Sequence, residues 1–267
     1  MNSLRTYGKG PFDVAVIHGG PGASGEMAPV AHELASCWGV LEPFQTATSL
    51  QGQVKELRTA LAKYGDLPTT LVGFSWGAWL SFIVAAKYPT VVKKLILVGS
   101  GPYEHKYVER IQETRLSRLS ARERNEYKSI IKVLNDPAAE QKPAALARLG
   151  TLASKTDTYD PILSKPEESE SGGSRDNIFH HALEDAIEMR RRGELMELAR
   201  HIDCPVVAIH GDYDPHPAEG VQEPLSAALE SFRLILLNNC GHKPWIERQA
   251  RDKFYAVLKK ELRTVSN

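Results

Sequence analysis

Short apolar runs alternate with stretches of helical periodicity through the first hundred residues. Asp13–Ile17 is an apolar run ending at His18-Gly19-Gly20-Pro21-Gly22, the pattern of a buried strand entering a turn. Val40–Phe44 reads as a second, weaker strand. From Gln51 to Lys63, apolar Val54, Leu57, Ala60 and Leu61 recur at helical spacing. Thr69–Phe74 predicts a strand that ends at Ser75, and Trp76–Lys87 a helix stopped near Tyr88-Pro89. Lys94–Gly99 is another apolar strand. Strands that alternate strictly with helices predict an α/β fold, a mostly parallel sheet with helices on both faces.

The pattern then changes. Glu104–Leu134 is charged and helical in character, and Asp176–His201 is helical again. Between them Thr156–Arg175, rich in Asp, Ser, Pro, Glu and Gly, reads as an exposed, mobile loop. Strands resume at Pro205–Ile209 and Phe232–Leu237, and a closing helix is expected from about Trp245 to Leu262. A helical block, residues 103–200, therefore interrupts one α/β core made of residues 1–102 and 201–267.

Composition narrows the classes. The 267 residues exceed one 150-residue domain and suit one α/β domain with an insertion. A hydrophobic share of 42% and a charged share of 25% are ordinary for a globular chain. Thirty-three basic residues balance thirty-three acidic ones, without the basic excess of a nucleic-acid binder. The densest basic cluster, Arg190-Arg191-Arg192, is flanked by Glu188 and Glu194 and reads as a solvated helix face. Cys37, Cys204 and Cys240 are odd in number and far apart, which argues against a disulfide framework or a zinc ribbon. No apolar run reaches the ~18 residues of a membrane span. The polar start Met1–Gly10 lacks an apolar signal core, so the expected location is the cytoplasm.

The chemistry concentrates at strand ends. Gly73-Phe74-Ser75-Trp76-Gly77 has the form G-x-S-x-G between a predicted strand and a predicted helix. In that context the serine sits on a strained, exposed tip at a helix N-terminus, where backbone N–H groups favour developing negative charge. A serine hydroxyl needs a base. His242 follows the last predicted strand, in Asn239-Cys240-Gly241-His242-Lys243-Pro244-Trp245. The base needs an acid to fix its tautomer, and Gly211-Asp212-Tyr213-Asp214-Pro215 follows the preceding strand. Asp214 is preferred to Asp212, which more simply shapes the turn after its glycine. His216 competes with His242 as base but lies close to Asp214 in sequence. The order Ser75, Asp214, His242 is the one expected on such a sheet. The glycines after His18 let a backbone N–H approach a ligand, so Gly20 and Trp76 are the expected oxyanion donors and His18 braces the loop.

These segments, HGGPG, GFSWG, GDYDP and GHKPW, resemble the α/β-hydrolase superfamily, in particular its proline iminopeptidase-like members with an HGGPG loop. The resemblance runs from about residue 13 to 262. It implies a helical cap inserted after the sixth strand. It also implies Ser75 as nucleophile, Asp214 as acid, His242 as base, and Gly20 and Trp76 as oxyanion donors. Three departures stand out. Only a dozen residues precede the first strong strand, so the N-terminal sheet edge should be shortened. Glu42–Ser49 lacks the arginine and glycines of the iminopeptidase D-x-R-G-x-G-x-S segment. The cap offers Glu184, Asp185 and Glu188 for an amine, but carboxylates at this spacing more simply face solvent. These departures weaken a peptidase reading and leave the triad intact.

His210, Asp212, Asp214 and His216 resemble a metal-ligand string, but no second cluster completes it, and no metal is expected. Trp79, Tyr103, Tyr107, Phe179 and Trp245 are aromatics that could line an apolar pocket. The sequence thus predicts a hydrolase, without cofactor, cleaving a small ester or amide through an acyl-serine. An iminopeptidase-like aminopeptidase and a ligand-binding protein of the same fold are the rivals. Carbon–carbon bond hydrolysis or cofactor-free oxygen chemistry on a similar triad is a further use of the fold. The partner is a small molecule, not nucleic acid or membrane. Activity is expected to fall below about pH 6 as the histidine protonates.

Overall fold

The computed structural model describes residues 4–136, 138–162 and 175–264, leaving out the side chains of Pro21, Pro143 and residues 175–180. Seven strands form one sheet: β1 (Leu4–Tyr7), β2 (Val14–Ile17), β3 (Val40–Pro43), β4 (Thr69–Phe74), β5 (Val92–Val98), β6 (Val206–Gly211) and β7 (Phe232–Leu237). Their order is β1-β3-β2-β4-β5-β6-β7. β1 pairs antiparallel with β3, and every other pairing is parallel.

Side chains alternate across each strand, and each face of the sheet has its own core. Ala15, Ile17, Leu71, Leu95 and Leu97 join one cluster, with α2 (Leu50–Tyr64) and α3 (Trp76–Lys87) packed over it. Val14, Val16, Val72, Ile96 and Val98 join the other, under α1 (Ala28–Leu34) and α10 (Arg251–Arg263). Because both faces are covered, β2 and β4 are buried along their whole length, which is why they read as continuous apolar runs rather than alternating ones. α3 is apolar on every side and buries all but its last residue, as a helix enclosed by sheet and neighbours must. Ser49 caps α2 by accepting from the Gly52 amide at 3.2 Å.

Between β5 and β6 come α4 (Val108–Ser117), α5 (Ala121–Asn135), α6 (Lys142–Asp157), α7 (Arg175–Arg191) and the short α8 (Glu194–Glu197). α9 (Glu219–Ala228) then joins β6 to β7. Five strands precede this helical stretch, where the resemblance counts six. The chain has a single antiparallel strand, β1, ahead of β2, so the N-terminal edge is shortened as expected.

Three sequence readings change. The expected loop from Thr156 begins too early: Thr156 and Asp157 are buried at the end of α6, while residues 163–174 lie outside the described residues. The closing helix begins at Arg251 rather than near Trp245. The segment in between forms a 3-10 turn at Pro244–Ile246, and the Glu247 carboxylate there is committed to backbone amides. Of the three arginines read as a solvated face, Arg191 and Arg192 are exposed and pair with Glu188, but Arg190 is buried. It ends a buried face made of Ala182, Ala186 and Arg190, each four residues apart.

Candidate active site

Ser75 joins the end of β4 to the start of α3 at φ +51° and ψ −112°, a backbone region that strains an L-residue. Its neighbours explain how the chain makes so sharp a turn. A Cβ on Gly73 would lie 2.3 Å from the Gly77 carbonyl oxygen, and one on Gly77 would lie 2.3 Å from that of Ile17. Only glycine at both places lets the helix press this close to β4 and β2. The Ser75 amide donates to the Val98 carbonyl at 2.9 Å, which pins the turn to the neighbouring strand.

The loops after β6 and β7 bring Asp214 and His242 to this tip. His242 Nε2 lies 3.1 Å from Ser75 Oγ, and His242 Nδ1 lies 2.7 Å from Asp214 Oδ2. The three residues singled out in the sequence therefore form one hydrogen-bonded chain. Asp214 is buried, and burial alone would raise its pKa. The charges of His242, His216 and His210 outweigh burial and hold the carboxyl well below its ordinary value. His242 is pushed the other way. Burial opposes its cation, but Asp214 beside it raises the imidazole above its usual pKa. Asp212 is turned away, accepting from the Cys240 amide at 3.2 Å.

Trp76 is the first residue of α3, so its N–H is among the amides that a helix leaves without an internal partner. Gly20 opens a 3-10 turn, Gly20–Gly22, at φ +43°. His18 is fully buried beside it. Its Nδ1 lies 2.9 Å from the Gly19 carbonyl, and its Nε2 accepts from the Gln45 amide at 3.4 Å.

Two features go beyond the sequence reading. The first is the contact of His216, weighed there only as a rival base, with Asp214. The His216 Nδ1 lies 2.8 Å from Asp214 Oδ1, and its ring sits 4.6 Å from that of His242 at a 30° tilt. One carboxylate thus serves both His242 and His216, and burial lowers the pKa of His216 although Asp214 opposes it. The spacing Asp214-x-His216 was visible; only the loop's turn, with the His216 amide donating to the same Oδ1 at 2.9 Å, brings the ring back. Asp214, His216 and His242 place candidate metal-ligating atoms within 4.8 Å of one another. Their Nδ1 and carboxylate atoms are already spent on each other, so a cation there would have to displace those hydrogen bonds.

The second is a seam between the helical block and the His242 loop. The His242 amide donates to the Asp157 carbonyl at 2.7 Å. Arg115 of α4 holds the Asp157 carboxylate, with Nε at 2.9 Å from Oδ1. The fully buried Glu247 accepts from the amides of Gly241, Tyr159 and Asp160 at 3.0, 2.9 and 2.8 Å. A lone glutamate five residues after a histidine carries no signal in sequence.

The aromatic set divides. Trp79 lies one turn past Ser75 on α3, and its Nε1 donates to the Gly101 carbonyl at 3.1 Å. Tyr103 has no exposed surface and packs on Phe82 in the core. Trp245 packs edge-on against Phe74 in the opposite core cluster. Tyr107 is buried with its hydroxyl on Glu223. These three fill packing positions rather than an open pocket wall, because aromatics at strand ends are also what closes the rim of a core. The Phe179 side chain lies outside the described residues. Of the acidic trio, Asp185 accepts from the Leu50 amide at 3.2 Å, and Glu188 is taken by Arg191 and Arg192.

A family model described as the alpha/beta hydrolase fold matches residues 14–249. A pimeloyl-[acyl-carrier protein] methyl ester esterase of Chromobacterium violaceum is 26% identical, over 98% of each chain. Among solved structures, VinJ superposes with a TM-score of 0.74 at 16% identity, covering 98% of this chain and 95% of its own. The proline iminopeptidase of Mycobacterium smegmatis superposes with a TM-score of 0.63 at 16% identity, covering 97% and 93%. Among the described residues no helix is long and apolar enough to cross a membrane.

Proposed function

Because this chain belongs to the alpha/beta hydrolase fold family, we propose that it is a serine hydrolase that cleaves a small ester and needs no cofactor for the step. The observation that carries the reading is the unbroken chain from Ser75 Oγ through His242 to Asp214, at 3.1 and 2.7 Å. Ser75 Oγ attacks the ester carbonyl while His242 Nε2 takes its proton. The N–H groups of Gly20 and Trp76 hold the oxyanion, and Asp214 stabilises the imidazolium at Nδ1. His242 then protonates the departing alkoxide, leaving an acyl-Ser75. In the second half His242 deprotonates water, which attacks the acyl carbonyl, and the proton returns to Ser75 as the acid leaves.

Ester is preferred to amide on two grounds. The Chromobacterium violaceum relative, similar over its whole length, is named as an ester hydrolase. An aminopeptidase must also hold a substrate ammonium, and here Asp185 and Glu188 already have partners. In this reading residues 1–102 and 201–267 are the catalytic core, and residues 103–200 are a cap that covers it and selects the substrate.

The test is turnover of p-nitrophenyl esters of increasing acyl length and of aminoacyl anilides, including prolyl, by the wild type and by Ser75→Ala. Ester turnover that vanishes in Ser75→Ala supports the proposal. Preference for the prolyl anilide moves the reading to the aminopeptidase. Full ester turnover in Ser75→Ala overturns it, and binding of an ester without turnover points to a ligand-binding protein.

A further inference from the structure

Arg190 is a buried cation with no counter-ion among the described residues. Only 7% of the residue is exposed, and its Nε has no hydrogen-bond partner among the described residues. Burial lowers its pKa, and no carboxylate offsets the effect. An arginine nevertheless stays charged. Its two neighbours in sequence behave differently: Arg191 and Arg192 lie in solvent and share Glu188. A buried charge with no carboxylate beside it among the described residues is among the costliest features a fold can hold, so it needs a reason other than stability.

Its place supplies one. The guanidinium lies over the indole of Trp79, 5.1 Å from the ring centroid. Trp79 is one turn past Ser75 on the same helix, and its Nε1 bonds to the Gly101 carbonyl. Gly101 lies two residues beyond Gly99, where a Cβ would be 3.3 Å from His242 Nδ1. The same helix, α7, packs across the Gly20–Gly22 turn. Ala182 and Ala186, on the face that Arg190 completes, share a core cluster with Trp76 and Trp79. The helix that carries Arg190 therefore touches both the proposed oxyanion loop and the nucleophile helix.

We propose that Arg190 is an anion subsite beside Ser75, reading a carboxylate carried by the substrate away from its scissile ester. This rests on the serine-hydrolase reading and adds the substrate class. The planar fork of arginine matches a carboxylate with two parallel N–H donors. A monoanion neutralises one guanidinium, whereas a phosphate dianion would leave excess charge buried, so carboxylate is the favoured anion. Stacking on Trp79 holds the fork in one plane before substrate arrives.

The experiment compares p-nitrophenyl half-esters of straight-chain dicarboxylic acids with neutral esters of the same chain length, on wild type, Arg190→Met and Arg190→Lys. We expect the wild type to prefer a carboxylate-ended ester of one length. Arg190→Met should cut that preference about 10- to 100-fold, chiefly through KM, and Arg190→Lys should retain part of it. Thermal melts keep fold and function apart: Arg190→Met should melt at or above the wild-type midpoint, because it removes an unpaired buried charge. A second arm measures midpoint shifts with the free dicarboxylic acids and with phosphate. A carboxylate-specific shift in the wild type that Arg190→Met loses supports the subsite even if no ester is turned over, in which case only the hydrolase reading fails. An equal preference in wild type and Arg190→Met, or a shift by phosphate alone, overturns the proposal, as does a melting midpoint in Arg190→Met well below wild type with preference intact.

Discussion

The sheet and the first helices of the block between β5 and β6, α4–α6, are held in different ways. In the sheet, β2, β4 and α3 bury nearly every side chain, so neighbours fix one another and a displacement of Ser75 meets resistance on all sides. In the block, α4 buries no residue and α5 buries only Ile130. Its own cluster is Leu119, Ile130 and Leu152, with a few half-buried partners. What ties α4–α6 to the site is polar: Arg115 on Asp157, the Asp157 carbonyl on the His242 amide, and Glu247 on three amides, whereas α7 joins the sheet's own core through Ala182 and Ala186. The contrast separates two tasks. On the proposed function, close packing sets the reacting atoms and a few directional bonds set what covers them.

The largest effect should come from the packed side. Ser75→Ala should lower ester kcat by about 10⁴-fold or more, and Asp214→Asn by about 10⁴-fold, measured at saturating substrate with the fold checked by circular dichroism. An Asp214→Asn enzyme within tenfold of wild type would mean that the His242–Asp214 contact does not serve the chemistry.

Core truncation is the next test. Leu80→Ala in α3 should cost about 2–5 kcal/mol in denaturant unfolding, since Leu80 is fully buried. Ile130→Ala should cost clearly less, because its cluster is small and near solvent. Equal losses would erase the distinction between the two regions. Glu247→Ala attacks the seam itself. It leaves three amides without an acceptor, with an expected cost of about 3 kcal/mol, and it should lower kcat by loosening the His242 loop. A stability loss with kcat unchanged would show that the seam does not reach the site.

The pH profile follows from the sign of the histidine shift. His242 must be neutral to act as base, and Asp214 raises its pKa, so the cation persists to higher pH. The acid limb of kcat/KM should therefore have its midpoint above the ordinary ~6.5 of imidazole, not near pH 6 as the sequence alone implied. A midpoint at or below 6 would contradict the coupling. His216→Gln removes one of two imidazoles from Asp214 and leaves more of the carboxylate's charge to His242. The limb should move up by less than about one unit. The smallest effect belongs to exposed ion pairs of the block. Arg148→Ala, which breaks the contact with Glu126, should leave both the melting midpoint and kcat within error.

What was legible in the sequence follows the same division. β4 and α3 fell where the apolar runs put them, because burial on every side leaves no other pattern. Ser75, Asp214 and His242 were found because each sits just past a strand end, and strand ends were readable. β1 was missed since an edge strand of Leu4–Tyr7, exposed at Arg5 and Thr6 and only half-buried at its ends, lacks an apolar run. Arg190 was misread because charge density was taken for exposure, whereas only its spacing from Ala182 and Ala186 places it inside. His216 and Glu247 act through loop geometry that carries no periodicity, and the sequence could not separate core from pocket aromatics because both use the same residues at strand ends.

The most direct test of the central claim is covalent labelling with a fluorophosphonate, followed by peptide mass spectrometry. The account predicts a single adduct on the peptide containing Ser75, absent in Ser75→Ala and formed far more slowly in Asp214→Asn. Labelling at another serine, or none at concentrations that saturate known serine hydrolases, would contradict it.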